Sequence, residues 1–128
     1  MSTIKVNNLQ NASGGSNSTP EEIEQGRAKA WVNFQGTSTV SIRDDYNVSS
    51  ITDHATGQYT VNLSSAMGNA NYAFGGMVSS EGDTGHEGDL SKHGGRSITT
   101  TAMPLRVTRS DTLAYVDKTY VTCLIFGD

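Results

Sequence analysis

Six side chains able to hold a metal or move a proton, Glu81, Asp83, His86, Glu87, Asp89 and His93, fall within one Gly-rich stretch, EGDTGHEGDLSKHGGR, from Glu81 to Arg96. A helical zinc-protease site needs a second histidine one turn after the first, and position 90 is Leu. The six residues between His86 and His93 fit no common zinc spacing either. Acids alternating with glycines in GDTGHEGD look faintly like a calcium loop, but the ligand spacing of an EF-hand is missing. No metal and no other cofactor is therefore expected. The stretch has no apolar period, carries five glycines and reads as a long exposed loop. Loops of that length in compact domains are usually functional or mobile, so Asp83, His86, Glu87, Asp89, His93 and Arg96 are its candidate contact groups.

Turnover chemistry finds less support. There is no G-x-S-x-G elbow, and Cys123 has no plausible base beside it. The carboxylates Asp44 and Asp45 adjoin each other at what reads as a turn, where Asp is favoured because it bonds its own backbone. Gly75-Gly76 and Gly94-Gly95 lack the strand-loop-helix setting that makes glycines cradle phosphate. The chain is read as a non-enzyme.

The elements that position these groups are strands. From Ala28 to Phe74 apolar side chains recur at every second residue: Ala28, Ala30, Val32, Phe34, then Val40, Ile42, then Tyr59, Val61, Leu63, then Tyr72, Phe74. One face of each strand is meant for a core and the other for water. Turns are expected at Gln35-Gly36-Thr37, Asp44-Asp45, Asp53 to Gly57 and Gly68 to Asn71. Trp31 is out of phase with Ala30 and Val32, which puts it on the second face, under a neighbouring strand or in a subunit contact. After the loop, strands are expected over Ser97–Ala102, broken by Met103-Pro104, then Leu105–Thr108, Leu113–Val116 and the last, TYVTCLIF. That last strand is apolar on both sides, so it is expected to be central and buried, with Cys123 an inert small hydrophobe.

Three parts follow: an extended or disordered arm over 1–19, a short helix over 20–26 and a β-sandwich domain over 27–128. The arm offers only Ile4, Val6 and Leu9 before NASGGSNST, too little to hold a strand alone but enough to add to a free sheet edge. Thr19-Pro20-Glu21-Glu22 has the marks of a helix start, and Gly26 marks its end.

Composition narrows the class. Hydrophobic residues make up 34% of 128, so the core is thin, and 17% charge with a net −4 gives no electrostatic reason to meet nucleic acid. One cysteine allows no internal disulfide, which fits folding in a reducing cytosol. No run is apolar enough for membrane insertion, and the N-terminus lacks a signal-peptide pattern. The sequons at Asn11, Asn17, Asn47 and Asn62 are then compositional. A thin core without disulfides is commonly completed by association with copies of itself.

The segment AKAWVNFQGTSTVSIRDDYNVSSITDHATGQYTVNLSSAM, with its KAWVNF strand, GT turn, RD strand end, NVSSITD and G-x-YTVN strand, closely resembles a module of tail-fibre and other virion structural proteins of tailed bacteriophages. The likeness covers residues 28 to about 74 and fades beyond Gly75. It implies a virion-surface structural protein, assembled in the host cytoplasm and trimeric as such modules usually are. The expected fold is an all-β antiparallel sandwich, jelly-roll-like in the loose sense of two packed sheets. In that reading Ile4, Val6 and Leu9 anchor the chain to another virion protein, and the 81–96 loop faces a host glycan or protein receptor. Trp31, Tyr46 and Tyr72 then lie in the oligomer interface or the core beneath it. A tail-fibre or tail-tip role leads. A capsid decoration or head-fibre protein is the main alternative, and a carbohydrate-binding module or a glycan-cleaving enzyme using Asp44, Asp53 and Glu87 stands further off.

Overall fold

The inward phase of each strand decides which strands can be neighbours, because a slip of one residue would turn a buried row into water. In the computed structural model, which describes residues 1–80 and 88–128, the elements run β1(Leu9–Gln10), β2(Asn17–Ser18), α1(Pro20–Gly26), β3(Ala30–Gln35), β4(Ser41–Tyr46), β5(Val48–Ala55), β6(Gln58–Leu63), β7(Ala73–Ser79), β8(Gly88–Lys92), β9(Ala102–Arg109) and β10(Tyr120–Phe126). Two four-stranded sheets form, in the orders β4-β3-β10-β7 and β5-β6-β9-β8, and their pairings are antiparallel. The expected all-β antiparallel class is what the chain adopts. Val32 and Phe34 of β3 and Val121, Cys123 and Ile125 of β10 meet Tyr59 and Val61 of β6 and Met103, Leu105 and Val107 of β9 in one core. Each such side chain, fully buried, contributes roughly 1.5–3 kcal/mol.

Two polar knots close the ends of this body. At one end the chain crosses from β4 to β5 through Asn47, whose φ of 57° suits Asn in the left-handed region. Its amide nitrogen donates to Lys29 O (3.1 Å) and Ser65 O (3.2 Å), and its oxygen accepts from Ser65 N (2.7 Å). At the other end the fully buried Tyr59 sets its ring edge-on to Phe34, with centroids 5.2 Å apart, and sends its hydroxyl between loops of both sheets. That hydroxyl donates to Asp117 Oδ1 at 2.5 Å and lies 2.9 Å from Gly36 O. Asp117 Oδ1 also accepts from Gly57 N (2.8 Å), while Gly36 N donates to Lys118 O (3.0 Å). Both glycines are required here. A Cβ on Gly36 would meet the Tyr59 hydroxyl at 2.7 Å, and one on Gly57, at φ +65°, would meet Val107 O at 2.4 Å.

The arm and helix stand outside the core. Thr19 caps α1 as its sequence predicts, accepting from Glu22 N at 3.1 Å while Glu22 reaches back to Thr19 N at 2.8 Å. Glu24 pairs with both Arg27 and Lys29. β1 and β2 make a two-residue hairpin, so the arm carries some order of its own beyond an extended tail.

Several strand and turn expectations are corrected. Asp44 and Asp45 lie within β4, and the reversal comes later, at Asn47, whose side chain supplies the bonds a turn needs. The loop assigned to 81–96 is a strand over Gly88–Lys92, held by pairing with β9 despite a poor local propensity. Met103-Pro104 does not interrupt β9. Pro104 O accepts from His93 N just past the end of β8, so the missing proline N–H faces the same side, where no ladder bond is needed. Residues 97–101 and 113–116 make only isolated bridges, Thr99↔Ala102 and Thr108↔Tyr115. β10 is central as expected, between β3 and β7, but only Val121, Cys123 and Ile125 are buried; Leu124 and Phe126 are exposed on its other face.

Removing the phenol oxygen by Tyr59→Phe leaves Asp117 short of a donor and should cost about 1.5–3 kcal/mol in urea unfolding. Burial also raises the folded-state pKa of three groups: Tyr59, above its ordinary 10.0 through desolvation and then the Asp117 carboxylate, Tyr72, to about 12, and Cys123, to about 12 from 9.0. The unfolded chain ionises these groups first, so their contribution is intact at neutral pH and is lost as pH rises beyond about 9. A urea midpoint that stays level from pH 8 to 11 contradicts this.

Candidate functional site

With the inner faces consumed by the core, any contact chemistry has to come from the two outer faces and the arm. The outer face of β5-β6-β9-β8 is polar. Asn62 Nδ2 donates to Ser50 Oγ (3.0 Å) and Thr52 Oγ1 (2.9 Å), and His54 Nε2 lies 2.9 Å from Thr60 Oγ1. Register then places Gln58 opposite Arg106, and Arg106 opposite Ser91, in one row across three strands.

Chemistry concentrates at the end of that row. His93, just past β8, accepts from Gly95 N at Nδ1 (3.2 Å), which leaves the proton on Nε2 to be donated to Gln58 Oε1 (2.9 Å). Tyr115 stacks at 21° to the imidazole with ring centroids 6.3 Å apart, and its ring is exposed. Arg106 Nε donates to Ser91 Oγ at 3.0 Å. Arg96 N donates to His93 O at 3.3 Å, and its Nε is buried without a hydrogen-bond partner. Desolvation, then the positive charges of Arg96, Lys92, Arg106 and His54, hold the His93 imidazole below its ordinary 6.5. Asp89, exposed on β8 opposite Thr108, forms no ion pair with these cations.

The opposite outer face, on β4-β3-β10-β7, carries an apolar row beside a polar one of Thr122, Asn33 and Asp44. Tyr46, Trp31, Leu124 and Gly75 form one row by register. Phe126, opposite Ala73, and Met77, 63% exposed opposite Thr122, flank it. Arg43 covers one end, its guanidinium 4.5 Å from the Tyr120 ring centroid. A third surface lies on the arm, where Ile4, Val6, Leu9, Pro20 and Ile23 line an open groove of about 550 Å³.

Of the residues singled out from sequence, His93 and Arg96 come together and Asp89 lies further along the same strand; Asp83, His86 and Glu87 lie outside the described residues. Trp31 and Tyr46 are neighbours on an outer face, whereas Tyr72 is core, its hydroxyl within hydrogen-bond reach of Thr99 O (3.0 Å) and Ala102 O (3.1 Å). Sequence reasoning missed Gln58, Arg106 and Tyr115. Arg106 alternates with Leu105 and Val107 and so signalled only a solvated strand position. Among the described residues no group of three His, Cys, Asp or Glu could hold a metal ion. No helix there is long and apolar enough to cross a membrane.

Neither a family model, nor a curated protein, nor a solved structure matches the chain.

Because the folded state binds the His93 proton less tightly than the unfolded chain, that imidazole leaves stability intact above pH 6.5 and lowers it as the pH falls below. Imidazole NMR should show His93 titrating below 6.5 with Nε2 protonated at neutral pH, and His93→Asn should reduce the acid-side loss. A His93 that titrates above 6.5 contradicts the arrangement.

Proposed function

We propose that the chain is a structural protein of a tailed-phage virion surface, anchored by its arm and displaying the sandwich, with a tail-fibre or tail-tip role in host attachment. The observation that carries this is where apolar side chains are left in water. Ile4 (87% exposed), Val6 and Leu9 stand on an arm outside the core, and Tyr46 and Leu124 are exposed on either side of a half-buried Trp31 in one row across a sheet face. Monomers rarely present such contiguous faces without a partner. The resemblance of residues 28–74 to virion modules supports the same reading.

Assembly is proposed as a jelly-roll-like trimer, in which the apolar row packs against its copies and the arm groove takes a segment of another virion protein. Face packing suits this chain better than edge pairing. The edge strand β4 exposes Arg43, Asp44 and Asp45, and β5 is kinked by irregularities near both ends, devices that discourage strand addition. Folding and assembly would take place in the host cytoplasm.

Gold-labelled antibody on intact particles should mark the tail tip, and deletion of residues 1–19 should abolish particle attachment while leaving the sandwich folded. Label spread over the shell would replace the tail role with capsid decoration, and particles without label would end the virion reading.

A further inference from the structure

We propose that the outer face of β5-β6-β9-β8, around Arg106, Arg96 and His93, is a binding site for the carboxylates of an acidic polysaccharide. The inference rests on the attachment reading only for the biological source of that polymer. Charge bookkeeping is the starting point. Acids outnumber Lys and Arg by 13 to 9, yet Lys92, Arg96 and Arg106 all act on His93, with no carboxylate paired to any of the three among the described residues. Among the other six cations, Arg27 and Lys29 pair with Glu24, Arg109 pairs with Asp111, and Arg43 lies over Tyr120. Gathering like charges costs free energy unless an anion arrives to balance them.

The donors suit a carboxylate set on a sugar. Arg106 commits its Nε to Ser91, which fixes the guanidinium plane and leaves the terminal nitrogens to form a two-pronged contact. Arg96, half-buried, contributes the terminal nitrogens of a second guanidinium, while its Nε is buried without a protein partner. Gln58, with its oxygen taken by His93, has its amide N–H groups left for sugar hydroxyls, and the exposed Tyr115 ring, backed by the imidazole, offers a flat apolar surface of the kind sugar rings lie on. The shape selects a polymer. These residues occupy an open sheet face and line none of three grooves among the described residues, around Lys29 and Met67, at the arm and helix, and around Asn69 and Asp128, so an extended chain that can run along the strands suits them better than a small molecule.

Binding of the full chain to immobilised polygalacturonate, with neutral dextran, dextran sulfate and duplex DNA as parallel arms, tests this. Polygalacturonate should bind at low salt and weaken as salt rises. Arg106→Gln and Arg96→Gln should each weaken it by about tenfold, whereas Arg43→Gln on the other face should leave it unchanged. Ligand should also raise the pH at which His93 titrates. Equal binding by the Arg106 and Arg96 variants, tighter binding to dextran sulfate or DNA, or no binding to polygalacturonate would overturn the proposal. Virion labelling fails or succeeds separately: label without polymer binding removes this inference alone, and polymer binding without label removes only the virion reading.

Discussion

Tyr59 stands on β6 with its ring against Phe34 of the facing sheet and its hydroxyl between Gly36 O and Asp117, so one side chain spans the sandwich and ties the loops at its end. The rest of the molecule leans on that constraint because its core is thin. With 34% hydrophobic residues and no disulfide, the sheets cannot be held by apolar area alone as generously as in larger domains. A buried hydroxyl satisfied by a carboxylate fixes their relative position as well as stabilising them, since any slide would leave Asp117 and the phenol unpaired. Asn47 does the same at the opposite corner with bonds to Lys29 O and to both backbone groups of Ser65.

Once both inner faces are committed, the outer faces are free to differ, and they do. One carries Trp31, Tyr46, Leu124 and Met77; the other carries hydroxyls, amides and the cations around His93. A body with an apolar row on one outer face, a polar opposite face and an apolar arm fits the proposed display role, in which copies meet through the first, a ligand through the second and the particle through the third. The proposed role asks for no bond-making chemistry.

Much of the fold was legible because alternation is a local signal. The phase of Ala30, Val32 and Phe34, and of Tyr59, Val61 and Leu63, predicts their burial directly, and the Thr19 to Glu22 pattern predicts its own cap. Errors arose where distant partners overrode local preference. Gly88-Asp89 looks like loop until β9 pairs with it, and Pro104 looks like a break until its place beyond β8 is known. Leu124 and Phe126 looked buried because an apolar pattern does not distinguish the core of one chain from an outward face. The cationic site was half legible: His93 and Arg96 stood out in the Gly-rich stretch, but Gln58, Arg106 and Tyr115 reach them only through the register of β6, β9 and β8 and the Thr108↔Tyr115 bridge. Nothing in local spacing foretells that convergence.

In the proposed trimer the apolar row of Trp31, Tyr46 and Leu124 meets copies of itself. Native mass measurement of the full chain at micromolar concentration tests it most directly. A species three times the 13.6 kDa chain mass, reduced to the single chain by Leu124→Asp, is the predicted result. A wild-type protein that stays a single 13.6 kDa chain up to hundreds of micromolar would contradict it.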